Sequence, residues 1–157
     1  NVLLRNSGDS TFTDDSSVSG ADDPGIGRGV AYLDFNDDGC LDLYVTNLGI
    51  SAELPDEGRL FQNNCDSGNG WLIIKTVGTV SNRDGIGARV TASAGGRTQI
   101  REVAAGSSSM SQNMLPVHFG LGQAESVDSI EILWPSGTLQ TLTNVAPNQR
   151  LIVTEPP

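Results

Sequence analysis

The stretch Asp34-Phe35-Asn36-Asp37-Asp38-Gly39-Cys40-Leu41-Asp42 concentrates the chemistry of this chain. Oxygen-bearing side chains stand at loop positions 1, 3, 5 and 9, as Asp34, Asn36, Asp38 and Asp42, and all four can turn inward onto one cation. At position 7, Cys40 offers its backbone carbonyl, while Gly39 permits a sharp turn. Calcium takes six to eight oxygens at about 2.3–2.6 Å, whereas magnesium resists dehydration and demands strict octahedral geometry, so calcium is the better fit. An EF-hand would carry glutamate at position 12, which here is Val45 inside an apparent strand. Strands therefore flank this loop, and Asp42 is expected to give the bidentate contact. The competing reading is an acidic turn whose side chains bond only their own backbone. Four oxygen residues in alternation with a glycine favour the ion.

The elements that must hold this loop are short and β-like. Residues 29–35 and 41–46 read as strands on either side of it, 48–58 as a loop, and 59–63 as a returning third strand. Pairing 41–46 antiparallel with 59–63, with Tyr44 opposite Phe61, sets Cys40 opposite Cys65 and predicts a disulfide between them. A weak repeat, Leu3, Asn6 and Asp9 recurring as Leu60, Asn63 and Asp66, frames a unit of roughly propeller-blade length. The turn-rich run Cys65-Asp66-Ser67-Gly68-Asn69-Gly70 marks a boundary, dividing the chain into 1–66 and 67–157. Beyond it, strands are expected at 71–77, 88–94, 98–104, 117–121, 129–134, 138–142 and 150–154, with hairpins at Gly95-Gly96 and Pro135-Ser136-Gly137. Their spacing predicts a C-terminal antiparallel β-sandwich or barrel. The fold class expected is thus all-β, one propeller-blade-like calcium-binding repeat plus that C-terminal unit.

Charge and composition narrow the function. Of the chain's 19 acidic residues 13 lie in 1–66, against three of its nine basic ones, so the net charge of −10 sits in the first segment. Such a segment repels phosphate backbones and argues against nucleic acid as a partner. No run of about 18 apolar residues is present to span a membrane. The chain opens at Asn1 with neither methionine nor a signal-like apolar run, which reads as a processed product. Two cysteines and one histidine, His118, are too few for a zinc site.

Gly29-Val30-Ala31-Tyr32-Leu33 leading into the acidic loop, and on to Asn47, resembles an FG-GAP/VCBS-type repeat, a family that forms propeller blades in extracellular proteins. Gly78-Thr79-Val80-Ser81-Asn82-Arg83-Asp84-Gly85-Ile86-Gly87-Ala88-Arg89-Val90 resembles the ASPIC/UnbV domain. So do Arg101-Glu102-Val103-Ala104-Ala105-Gly106, Val117-His118-Phe119-Gly120-Leu121-Gly122 and Trp134-Pro135-Ser136-Gly137. The resemblance implies secretion, calcium and a β architecture. It leads to the expectation of a non-catalytic extracellular structural or adhesion module, self-assembling through exposed β-edges into an oligomer or filament. The alternative is a calcium-dependent carbohydrate- or protein-binding domain of a larger secreted protein. Partners would accordingly be further copies, or extracellular proteins and glycans.

The remaining candidates have plainer readings. His118 has no nucleophile or orienting carboxylate beside it in sequence, so a packed or half-exposed ring is expected and no catalytic residue is assigned. Ser81-Asn82-Arg83-Asp84-Gly85 reads as a tight turn with Arg83 paired to a neighbouring acid. Trp71 and Trp134 alternate with aliphatic residues and read as core or partial-core positions. The polar run Ser107-Ser108-Ser109 is a loop or an acceptor for O-linked sugar, and no Asn-x-Ser/Thr sequon occurs.

Overall fold

The computed structural model of the chain describes residues 1–49, 57–65, 67–108 and 110–157. Asp66 of the repeat, Ser109 of the serine run and most of the loop expected over 48–58 lie outside the described residues. Chain order is β1 (Leu4–Asn6), β2 (Phe12–Asp14), a one-turn helix α1 (Ser16–Ser19), β3 (Ile26–Leu33), β4 (Asp42–Leu48) and β5 (Arg59–Phe61). There follow β6 (Gly70–Val77), β7 (Arg89–Ala94), β8 (Arg97–Glu102), β9 (Val117–Gly122), β10 (Val127–Leu133), β11 (Leu139–Val145) and β12 (Gln149–Thr154).

Among the described residues the strands form four sheets, ordered β1-β2, β3-β4-β5, β12-β6-β9 and β11-β10-β7-β8. The last two share one core, built from Leu72, Ile74, Val90, Phe119, Ile130 and Trp134 among others. β7 and β10 alternate apolar and polar residues and bury one face, whereas β6 reads Trp-Leu-Ile-Ile with hardly a break. A continuous apolar run is the mark of a strand covered on both sides. Ile73 shows it: successive side chains alternate between faces, so it points away from the core that holds Leu72 and Ile74, yet it is only 1 % exposed. Burying that side chain contributes about 2 kcal/mol to whatever covers it.

The expected fold class needs correcting. Among the described residues no sheet closes into a barrel or a propeller; each is open. The N-terminal sheet has three strands where a propeller blade has four, and its neighbour is a separate two-stranded hairpin. Nor is the C-terminal unit antiparallel throughout, because β12 runs parallel to β6 from Gln149↔Leu72 to Thr154↔Val77. Alternation of side chains carries no information on strand direction, and β12 crosses from one sheet to the other before pairing. The register of β4 with β5 is also one residue off expectation, with Tyr44 opposite Leu60. Both expected hairpins are present: Ala94 pairs with Arg97 around Gly95-Gly96, and Leu133 pairs with Leu139 around Pro135-Ser136-Gly137.

Two strand edges, those of β3 and β9, are covered among the described residues. The outer edge of β3 is occupied by residues 111–114: Ser111 Oγ donates to the Val30 carbonyl at 2.7 Å and Met114 N to the Tyr32 carbonyl at 3.1 Å. Tyr32 N in turn donates to Asn113 Oδ1 at 3.0 Å. On β9, Gln99 Nε2 caps the Gly120 carbonyl and Arg101 Nε the His118 carbonyl. Of the two segments that self-assembly through β-edges would use, Val2–Arg5 and Arg59–Asn63, the first pairs within the chain, Leu4 opposite Asp14.

Candidate cation loop and its docking platform

The acidic run forms the connection between β3 and β4, closed at its base by the pair Leu33↔Asp42. Asp37 and Gly39 take left-handed conformations, φ 61° and 89°, and these fold the loop back on itself. Asp34, Asn36 and Asp38 then gather inside it. Asp34 Oδ1 accepts from Asp38 N at 3.1 Å and Oδ2 from Gly39 N at 2.9 Å. Asn36 Nδ2 donates to Asp38 Oδ2 at 2.7 Å, while Asp38 Oδ1 accepts from Cys40 N at 2.8 Å. Three adjacent oxygen side chains are a donor set for a hard cation, which prefers carboxylate and amide oxygen over nitrogen or sulfur.

Asp42 stands apart from that group. Its carboxylate is fully buried, with Oδ2 accepting from Phe35 N at 3.1 Å and Oδ1 from Asn63 N at 2.8 Å, so it ties the loop to the residues following β5. Cys40 and Cys65 are joined in a disulfide with Cα atoms 6.1 Å apart. Both cysteines lie beyond the ends of the β4–β5 ladder, so the bond forms although the register that suggested it is shifted. Asp38 lies within 4.8 Å of both sulfurs, a cluster that could hold a metal ion. With the sulfurs bonded to each other, its charged ligand is the Asp38 carboxylate.

The loop rests on the outer face of β12-β6-β9. Arg150 on β12 pairs with Ile73 on β6, and Ile73 with His118 on β9, so these three side chains form one row across the sheet. Arg150 Nη2 reaches Asp34 Oδ2 at 2.6 Å and Asp37 Oδ1 at 2.7 Å. His118 Nε2 lies 2.9 Å from the Gly39 carbonyl, and because a carbonyl only accepts, that nitrogen carries the proton. Burial pushes the imidazole below its ordinary 6.5, assisted by Arg101 and opposed by the Gly39 bond and Asp34. Gly39 packs so closely on Trp71 that a Cβ there would lie 1.9 Å from the indole Cε2.

A second buried carboxylate closes the C-terminal half. Glu155 Oε2 accepts from the backbone N–H of Thr79, Val80 and Ser81 at 2.9, 2.9 and 2.7 Å. Its Oε1 accepts from Ser81 Oγ and Ser136 Oγ at 2.8 and 2.5 Å. Burial alone would raise its pKa, but the bonds from Ser136, Ser81 and Thr79 outweigh it and hold the group down at about 2.

Sequence reasoning assigned neither Arg150, Asp37, Trp71 nor Glu155 to a site. Asp37 stands at loop position 4, outside the odd-position alternation. Arg150 and Trp71 become visible only when the 3D register of the β12-β6-β9 sheet is known. The turn expected at 81–85 is present, with Arg83 Nη2 at 3.5 Å from Asp84, and Trp134 is buried with Nε1 donating to Gln140 Oε1 at 2.9 Å.

Known proteins give these features context. The sequence profile of the family described as ASPIC and UnbV matches residues 78–157. Over 142 residues the chain is 32% identical to Cartilage acidic protein 1 of Mus musculus, covering 88% of this chain and 21% of that protein. Over 48 residues it is 50% identical to Cartilage acidic protein 1 of Homo sapiens, covering 30% of this chain and 7% of that protein. The chain therefore spans about a fifth of the mouse relative's length, 21%.

Proposed function

This chain belongs to the ASPIC and UnbV family, and from that premise we propose that it is a calcium-dependent protein- or carbohydrate-binding module of a larger secreted protein. It is a non-catalytic module. Among the described residues no helix is long and apolar enough to cross a membrane. The reading takes 1–66 as the calcium-carrying unit, with Asp34, Asn36 and Asp38 as side-chain ligands. The Cys40 carbonyl and Asp42 would complete the shell, Asp42 by turning from its two amide donors. The observation that carries it is the seating of an oxygen-rich loop on the ASPIC/UnbV sheet through Trp71, His118 and Arg150. A change of charge in the loop is thereby felt on the surface of the neighbouring unit.

A binding module suits the strand edges better than a filament does. Among the described residues, β3 is covered by 111–114 and β1 pairs with β2, which leaves the outer side of the three-residue β5 as the free edge of the β3-β4-β5 sheet. Calorimetric titration with calcium and melting in calcium against EGTA test the proposal. Binding with a raised melting temperature, both lost in Asp38→Ala, is the expected result. Identical melting in the two buffers, with no heat of binding, would refute it. Glycan-array or protein capture that EGTA abolishes then identifies the partner class, and sedimentation as a monomer in calcium separates this reading from self-assembly.

A further inference from the structure

We propose that Arg150 is a tethered counter-cation of the 34–42 loop, displaced when calcium binds, so that ion affinity and docking of the loop on β12 oppose each other. The inference rests on the calcium reading above and adds its regulation.

Lone pairs carry the argument. A carboxylate offers about four acceptor sites, two on each oxygen. Asp34 Oδ2 already accepts from Gly39 N at 2.9 Å and from Arg150 Nη2 at 2.6 Å, so both its sites are taken. Oδ1 accepts from Asp38 N at 3.1 Å, which leaves one site on the residue at loop position 1. An ion that takes both oxygens of Asp34 must displace one of the two donors on Oδ2, and of these the guanidinium is the one that carries a competing positive charge. Electrostatics acts in the same direction, since two positive charges would have to share a side chain that is 0% exposed. The second partner of Arg150 is Asp37, whose side chain is 76% exposed and lies outside the proposed ligand set. Arg150 thus keeps a weaker, water-screened foothold when it leaves Asp34.

Release would not be local. Arg150 shares its row with the buried Ile73 and with His118, and both Arg150 and His118 bond to the loop, so the loop is held on either side of Ile73. Because coupling between two equilibria is reciprocal, whatever presses the loop onto β12 lowers calcium affinity by the factor with which calcium loosens the loop. A partner that binds across the loop and β12 would then read the calcium concentration.

Calcium titration of the intact chain and of R150Q tests this, with R150K as the charge-retaining control. R150Q is expected to bind calcium about fivefold tighter, the equivalent of one half-exposed ion pair. It should melt below wild type in EGTA, with the gap closing in saturating calcium, while R150K stays near wild type. Equal or weaker affinity in R150Q, or a melting deficit that calcium does not change, overturns the proposal. A measurement on the wild type needs no variant: the Arg150 Nε–H resonance should shift on adding calcium, and an unmoved resonance in a chain that binds the ion also overturns it. Absence of calcium binding by wild type itself removes the underlying reading, an outcome distinct from the others.

Discussion

Substituting Gly39 by alanine tests whether the acidic loop is seated on Trp71 as described. Two penalties add. At φ 89° an L-residue is in the left-handed region, which costs about 1–2 kcal/mol. The new Cβ would also lie 1.9 Å from Trp71 Cε2 and 2.3 Å from Cδ2, and relieving such overpacking costs about 1–3 kcal/mol. G39A should therefore lose about 3 kcal/mol, a urea midpoint lower by about 1.5 M for a slope near 2 kcal/mol/M. Gly68 supplies the control, because it has φ 63° with nothing within 4 Å of its Cβ position. G68A should show the backbone penalty alone, about 1 kcal/mol. In a Trp71→Ala background the clash vanishes, and G39A should fall to the same level as G68A. If G39A costs the same with and without the indole, the loop does not rest on Trp71 and the docking argument is wrong.

Two further outcomes follow from the covalent and buried polar features. Replacing Cys40 and Cys65 by serine should cost about 3 kcal/mol, the chain-entropy value for a loop of this size, read from urea midpoints under non-reducing conditions; free thiols in the secreted wild type would contradict the bond. Glu155 has a folded pKa near 2 against an ordinary 4.5, so its stabilisation is present above pH 4.5 and lost as pH falls through about 2. Melting temperature of the wild type should drop across that window while E155Q, already lower at neutral pH, stays flatter, and superimposable profiles would exclude the role given to Glu155.

Local order was legible in the sequence where side-chain period and turn chemistry decide it. β6, β7, β9 and β10 fall within three residues of expectation at every end, because each alternates or runs apolar between glycine-rich turns. β2 and α1 escaped notice, being three or four residues long with polar sequences such as Phe-Thr-Asp, and Val2–Arg5 was read as an edge for a neighbouring copy where β1 pairs with β2. Long-range geometry was the greater loss. Nothing in Arg150-Leu151-Ile152 announces that the strand lies parallel to Trp71-Leu72-Ile73, so the cation of the C-terminal half and the acids of the N-terminal half were read as unrelated. The acidic loop itself stood out because its chemistry is local, whereas the Glu155 cradle is assembled from residues 74 to 76 positions away together with Ser136.

The double-sided burial of β6 bears on where this molecule can be cut. The family profile begins at residue 78, one residue after β6 ends, yet β6 is the middle strand between β12 and β9. A fragment trimmed to the matched span would lose the spine of its own sheet, leaving Phe119 without Leu72 and Val153 without Thr76 opposite. A fragment beginning at Trp71 would keep the spine but wear Ile73 and Trp71 on its surface as a sticky stripe. For grafting, crystallisation or display, the smallest transferable piece is thus the C-terminal unit together with the hairpin of β3 and β4, because the seam between the halves is shared property.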